Sequence, residues 1–290
     1  MNTPADTFLL FFHIERAGGT SVHDWLLTQM RGYYPLHTWY YWSNEPEHGI
    51  SPEELARLAR WTPGMGGAGG HTLKPWFDYE AVLKRATLRL TFLREPRARF
   101  LSHFNHQRMK MGIPWTIEQF ATEVRFSDYQ TVRLSGSRDL ETAVAVIGTL
   151  DLVGFVEQLP ESLRYLCAKR GWYERSVPSL NRLADVAHAF RYEDLTTSQQ
   201  RLVDEANALD IQLYKRANDL WSPRLAKNAA TGTTPMCTSS AQTLVAGSRA
   251  RYRRVRRRIW SATTESLVHR MSAVPYPLRS DQPSRTSGSQ

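Results

Sequence analysis

The stretch FFHIERAGGTSVHDWL, residues 11–26, decides how this chain is read. An apolar run ends at Ile14, a Gly-Gly-Thr-Ser turn follows, and Val22, Trp25, Leu26 and Met30 then recur at helical spacing. A strand, a glycine turn and a helix in that order present backbone N–H groups to an anion. A nucleotide-hydrolysing P-loop carries a lysine immediately before its Ser/Thr, and here Gly19 holds that place. The sequence thus offers an anion site without the side chain that grips the end of ATP.

Outward from this stretch, strands and helices alternate. Residues 8–14, FLLFFHI, form a continuous apolar run typical of a buried parallel strand, and the first helix follows at about 20–31. Ser51-Pro52-Glu53-Glu54 starts a second helix, with Ser as cap, Pro at the first position and Glu closing a capping box. That helix runs to Trp61 and stops in the glycine-rich PGMGGAGGH. TLRLTFL, 87–93, reads as a strand, and Pro96 opens a helix to about Met109. LDLVGFVE, 150–157, reads as a third strand, followed by the helix PESLRYLCAKRGW with Gly171 near its end. Thr196 to Trp221 reads as two helices, the second capped by Asp210. The alternation predicts an α/β, P-loop-like three-layer fold with a central parallel sheet and helices on both faces.

The bulk numbers place the charge. The 290 residues are 41% hydrophobic and carry a net charge of +9. From Ser222 onward there are 12 Lys+Arg against 2 Asp+Glu, which leaves residues 1–221 at −1. The basic character belongs to a tail, so the chain as a whole does not read as a specific nucleic-acid binder. Residues 1–221 are the expected folded domain, 222–248 a linker or extension, and 249–290 a basic, disordered tail. Seven arginines between Arg249 and Arg258 suit peripheral contact with anionic lipid headgroups, contact with nucleic acid, or simply a solvated end. Cys167 and Cys237 are too few for a disulfide framework and lack metal-ligand spacing. No apolar run approaches bilayer length, and the first residues lack a secretory pattern; the expectation is a cytoplasmic protein.

A second informative stretch is TFLREPRARFLSHF, 91–104. A strand ends, Arg94 stands at its carboxyl end, Pro96 starts a helix, and Ser102 lies two turns on. Ligands of open α/β sheets bind at the carboxyl ends of strands, and an arginine there offers a fork of donors to a phosphate.

With both stretches in view the sequence resembles a known family. HIERAGGTS is similar to the HIPKTGGTS of carbohydrate-type sulfotransferases related to heparan sulfate 2-O-sulfotransferase, and LREPRARFLSHF resembles their LRDPVxRxxSxY. Gly70-His71, DYQTVRLSG, LVGFVEQLPESLRYL and NALDIQLYKRANDLW also have counterparts, so the likeness spans roughly residues 8–221. It implies 3′-phosphoadenosine 5′-phosphosulfate (PAPS) as donor and co-substrate. It further implies Gly18, Gly19, Thr20 and Ser21 on the 5′ phosphosulfate, Arg94 and Ser102 on the 3′-phosphate, and His71 as the base. The acceptor it implies is a hydroxyl of a saccharide or glycosylated small molecule. A sulfuryl donor ends in a singly charged sulfate, so amides, a hydroxyl and one cation suffice and no metal is expected.

Three positions depart from the pattern. Arg16 stands where the family has Lys, the residue that contacts the bridging oxygen of the donor, and is assigned to donor binding and catalysis in its place. Glu15 and Ala17 replace Pro and Thr, and Glu15 sets a negative charge beside an anion site. The alternative is therefore a weak or inactive PAPS-binding scaffold attached to an acidic surface by its tail. A nucleotide kinase is excluded by the absence of any Gly-Lys-Ser/Thr.

Other residues keep two readings. His13, within the apolar strand, reads as core, and Arg99 as a support residue. YYPLHTWYYW, 33–42, suits sugar stacking and suits a strand or core equally. The resemblance implies Gln130, Thr131 and Arg133 on the acceptor side, and a solvated helix end explains them as well.

Overall fold

The computed structural model describes residues 7–30, 32–36, 49–175 and 189–231. FLLFF becomes β1 (Phe8–Phe12), with every residue buried. A strand covered on both faces has no solvent side to alternate with, which explains its unbroken apolar run. β1 is the middle strand of a five-stranded sheet. On one side lie β3 (Gly67–Gly70) and then β2 (Tyr33–Pro35); on the other lie β4 (Thr87–Leu93) and then β5 (Leu152–Phe155). All four pairings are parallel.

The helices are α1 (Gly19–Gln29), α2 (Pro52–Trp61), α3 (Tyr79–Leu83), α4 (Pro96–Met109) and α5 (Ile117–Thr122). After them come α6 (Tyr129–Ser135), α7 (Leu140–Thr149), α8 (Leu159–Arg170), α9 (Thr197–Ala206) and α10 (Ala208–Thr231). They pack around the sheet, giving the three-layer α/β fold that the alternation implied. One apolar core surrounds the strands. A smaller one, built on Phe100, Phe104, Phe120 and Phe126, buries part of α4. No helix among the described residues is long and apolar enough to cross a membrane.

Several elements match their sequence signals. The capping box at Ser51 and Glu54 forms, and α2 ends at Trp61. β4 and α4 keep their expected limits. Gly171 closes α8 with φ 61°, a left-handed cap that glycine adopts without strain. The third strand is shorter than expected, because Val156–Gln158 turn into a 3-10 segment before α8.

Other expectations need correction. The glycine-rich run after α2 is not merely a helix stop, since GAGG forms β3 beside the central strand. Glycine normally weakens a strand, but here close approach requires it. A Cβ on Gly69 would lie 2.0 Å from the Tyr33 hydroxyl, and one on Gly70 would lie 2.3 Å from the Leu36 carbonyl oxygen. The boundary placed after Trp221 falls inside α10, where Trp221 and Leu225 are both buried, so the folded body extends beyond it. Asp210 does not cap its own helix; it lies in the first turn of α10 and its carboxylate serves α6. The arginine-rich tail and the aromatic residues from His37 to Trp42 lie outside the described residues.

The glycine argument is open to direct measurement. Gly70→Ala is expected to destabilise the protein by about 1–3 kcal/mol through overpacking against backbone. Gly148→Ala meets no atom within 4 Å and lies in α7, so it should be neutral or stabilising by up to about 1 kcal/mol. Urea unfolding of the two variants checks the contrast.

Candidate functional site

Strand order brings the sequence motifs together. β1 lies between β3 and β4, so the loop after β1, His71 after β3 and Arg94 after β4 share one carboxyl edge of the sheet. This is where open α/β sheets place their ligands.

The loop after β1 is a tight turn. Arg16 has φ 66° and Gly18 has φ 71°, both left-handed. Such a backbone costs nothing at glycine and is uncommon for an arginine. The turn delivers the chain into α1 with Gly18 as its N-cap, and no side-chain hydrogen bond caps that helix. In contrast, α2, α5 and α9 each carry a capping box. Gly18, Gly19, Thr20 and Ser21 thus form the helix start; the Ser21 N–H already donates to the Gly18 carbonyl at 3.1 Å, so an anion here would meet the amides of residues 18–20. Gly19 is also sterically required, because a Cβ there would lie 1.7 Å from His13 Nε2.

Arg16, Arg94 and Ser102 form one cluster. The Arg16 Nε donates to Ser102 Oγ at 3.1 Å, and Arg94 donates through a guanidinium nitrogen to the Arg16 carbonyl at 3.2 Å. Burial pushes the Arg16 guanidinium down to about 10, and the neighbouring charges of Arg94 and Arg99 add to the effect. Burial also lowers Arg94. Neither Arg16 nor Arg94 makes an ion pair among the described residues. Glu157 and Glu95 partly offset the charge of Arg94 without forming an ion pair with it, whereas Arg16 has no such offset among the described residues; two half-buried guanidiniums this close suit an anion. Arg99, read as a support residue, is fully buried and lies over the Tyr129 ring at 4.7 Å.

His71 stands beside this cluster. Its Nδ1 is 2.8 Å from the His13 carbonyl oxygen. A carbonyl can only accept, so Nδ1 carries the proton and Nε2 is the basic nitrogen. The rings of His71 and His13 lie 4.1 Å apart between centroids. His13 therefore borders the site instead of filling the core, and its side chain continues through His23 to the Tyr33 hydroxyl. Burial lowers the His71 pKa; Glu15 opposes that shift and Arg133 reinforces it. His71 is accordingly neutral at neutral pH.

Glu15 does not stand as a bare charge against the anion site. It forms a two-point ion pair with Arg133 of α6, with Arg133 Nε 3.1 Å from Oε2, and lies 3.5 Å from His71 Nδ1. Burial alone would raise its pKa, but Arg133 and His71 outweigh that and hold it below the usual carboxylate range. Arg133 also donates to the Tyr129 hydroxyl at 2.8 Å. Gln130 and Thr131 are buried, so the solvated helix end that the sequence allowed is not what they form.

Lys74, three residues beyond His71, was not distinguished by any sequence pattern. It is 1% exposed, its stem runs against Gly49, and its ammonium lies 5.6 Å from the Trp76 ring centroid. Nζ has no hydrogen-bond partner among the described residues. Burial, then Arg133, lowers its pKa to about 8, with Glu15 opposing. Cys167 is buried in the core and its thiol is pushed up to about 12, mainly by desolvation, so it has no reactive character.

The chain matches no family model and no curated protein, so the chemistry of this edge rests on its own residues.

The buried ammonium makes a signed prediction. A lysine whose folded pKa lies below its unfolded value of 10.5 costs stability while charged, and the cost fades as pH rises from about 8 to 10.5. Lys74→Met should therefore stabilise the protein at neutral pH, by about 2–3 kcal/mol if packing is retained. Thermal unfolding followed against pH should show the gap between variant and wild type closing above pH 8.

Proposed function

We propose that the chain is a sulfotransferase that moves a sulfuryl group from PAPS to a hydroxyl of a saccharide or glycosylated small molecule. The observation that carries this reading is the pair of half-buried guanidiniums, Arg94 bonded to the Arg16 carbonyl and Arg16 bonded to Ser102, beside the uncapped start of α1. A donor with phosphates at both ends of its ribose needs two neighbouring anion sites, and the start of α1 and the Arg16–Arg94 pair are the candidates for them. The neutral His71 supplies the third requirement, a base near the same edge.

In this mechanism the acceptor oxygen attacks sulfur in line with the bridging oxygen of the donor. The bond from sulfur to that oxygen breaks, and adenosine 3′,5′-bisphosphate departs with the electron pair. His71 Nε2 takes the proton of the acceptor hydroxyl while Nδ1–H stays anchored on the His13 carbonyl. The amides of residues 18–20 stabilise charge developing on the departing phosphate, as preorganised dipoles need no reorientation. Arg94 and Ser102 hold the 3′-phosphate, with Arg16 bridging the two ends. The chemistry calls for no metal.

One observation favours the alternative of weak or absent turnover. The Arg16 side chain engages Ser102, on the side of the second motif, where the family's Lys would attend the bridging oxygen. Arg16→Lys is the variant that separates the two readings: a gain in rate means that arginine has limited transfer, whereas an inert wild type and variant point to a donor-binding scaffold.

Titration with adenosine 3′,5′-bisphosphate, compared with adenosine 5′-monophosphate, tests the donor site. The bisphosphate should bind more tightly, and Arg94→Ala should weaken it by about 10–100-fold, the worth of a charged hydrogen bond. Equal affinity for the two nucleotides, or an unchanged Arg94→Ala, would falsify the donor assignment. With labelled PAPS and an acceptor set, His71→Ala should lower the rate by about two to four orders of magnitude. Because burial lowers the His71 pKa, the wild-type rate should hold until the pH falls below the usual histidine value of about 6.5.

A further inference from the structure

The anion site depends on where the Arg94 backbone sits, and a side chain from elsewhere in the fold holds it. Gln130, on α6, accepts from the Arg94 N–H through Oε1 at 3.0 Å and donates to the Arg94 carbonyl through Nε2 at 2.9 Å. A primary amide engaging both polar groups of one residue imitates a neighbouring strand, and it does so just past the end of β4. Gln130 is completely buried, so water does not compete for either bond.

The helix that carries Gln130 is itself fixed. The Gln130 N–H and the Thr131 N–H donate to the two oxygens of Asp210 at 3.0 and 2.7 Å, and the Thr131 hydroxyl adds a bond of 2.8 Å. In return Asp128, just before α6, accepts from the Leu209 N–H at 2.8 Å in the first turn of α10. Each helix start is capped by a carboxylate belonging to the other, an arrangement in which neither can shift alone. From the next turn of α6, Arg133 pairs with Glu15 on the glycine loop. One short helix therefore grips both loops of the candidate site.

We propose that Gln130 is the positioning residue of the anion site, setting the Arg94 backbone so that its guanidinium stands over the Arg16 carbonyl and faces a phosphate. Gln130 touches no ligand in this role; it acts through Arg94. The inference rests on the reading that Arg94 binds an anion, and its test does not require that the anion be PAPS.

Two substitutions separate positioning from packing. Gln130→Leu fills the space and removes both bonds. Gln130→Glu keeps the shape, but its ionised carboxylate opposes the Arg94 carbonyl; once protonated it donates there and restores the pair. Affinities for adenosine 3′,5′-bisphosphate and for inorganic phosphate are measured by calorimetry at about pH 8 and about pH 5.5, relative to wild type. Gln130→Leu should lose about tenfold at both pH values, and Gln130→Glu about tenfold at the higher pH with recovery to within about threefold at the lower. Recovery on acidification is the signature that a packing role would not produce, and it decides the matter even if Gln130→Leu fails to fold. A Gln130→Glu deficit that ignores pH, or wild-type affinity in the variants, overturns the proposal. If wild type binds phosphate but not the nucleotide, the PAPS reading fails while the phosphate series still judges Gln130. If wild type binds neither, both are wrong.

Discussion

Arg16 adopts a left-handed backbone in the turn after the central strand, and the candidate site depends on that conformation. It points the Arg16 carbonyl at the Arg94 guanidinium and the Arg16 side chain at Ser102. The turn after β1 and the start of α4 thereby become one surface. A non-glycine residue held at positive φ costs of order 1 kcal/mol or more, and persists where surrounding structure fixes it. Here the fixing groups are visible: the Ala17 N–H returns to the Ile14 carbonyl, Arg94 holds the Arg16 carbonyl, and Glu15 is tied to Arg133.

The electrostatics follow from burial more than from net charge. Residues 1–221 are nearly neutral, yet the edge of the sheet gathers Arg16, Arg94 and Arg99 close enough to depress Arg16. Of the carboxylates nearby, Glu157 and Glu95 partly offset Arg94. Glu15 is neutralised by Arg133 and keeps its charge beside His71 instead of against the guanidiniums. The edge thus divides into a cationic half and a half that carries a neutral imidazole. Lys74 adds a desolvated ammonium to the second half.

Much of this was legible in the sequence where a local rule carries the signal. FLLFF, the Ser51 capping box and the Pro96 helix start each follow from patterns within a few residues, and each forms. The glycine loop, Arg94, Ser102 and His71 could be singled out by motif, and the topology brings them to one edge. What could not be read depends on contacts distant along the chain. GAGG is a strand because it pairs with β1 and β2, and it is glycine where Tyr33 and Leu36 crowd it; none of these partners is near in sequence. Asp210 looked like a cap for its own helix because Asp is a favoured cap, but its partners are eighty and seventy-nine residues away. Gln130 reads in the sequence only as an acceptor-side or helix-end residue, and Lys74 carries no local mark: one acts on a backbone 36 residues earlier, and the other is defined by what its ammonium lacks.

The central claim is that the two loops make a single anion site, with Arg16 and Ser102 acting as a unit. A double-mutant cycle on Arg16→Ala and Ser102→Ala, read as affinity for adenosine 3′,5′-bisphosphate, measures that directly. A coupling of about 1 kcal/mol or more is the expected result, since each residue orients the other. Strictly additive losses, or no loss from either change, would contradict it.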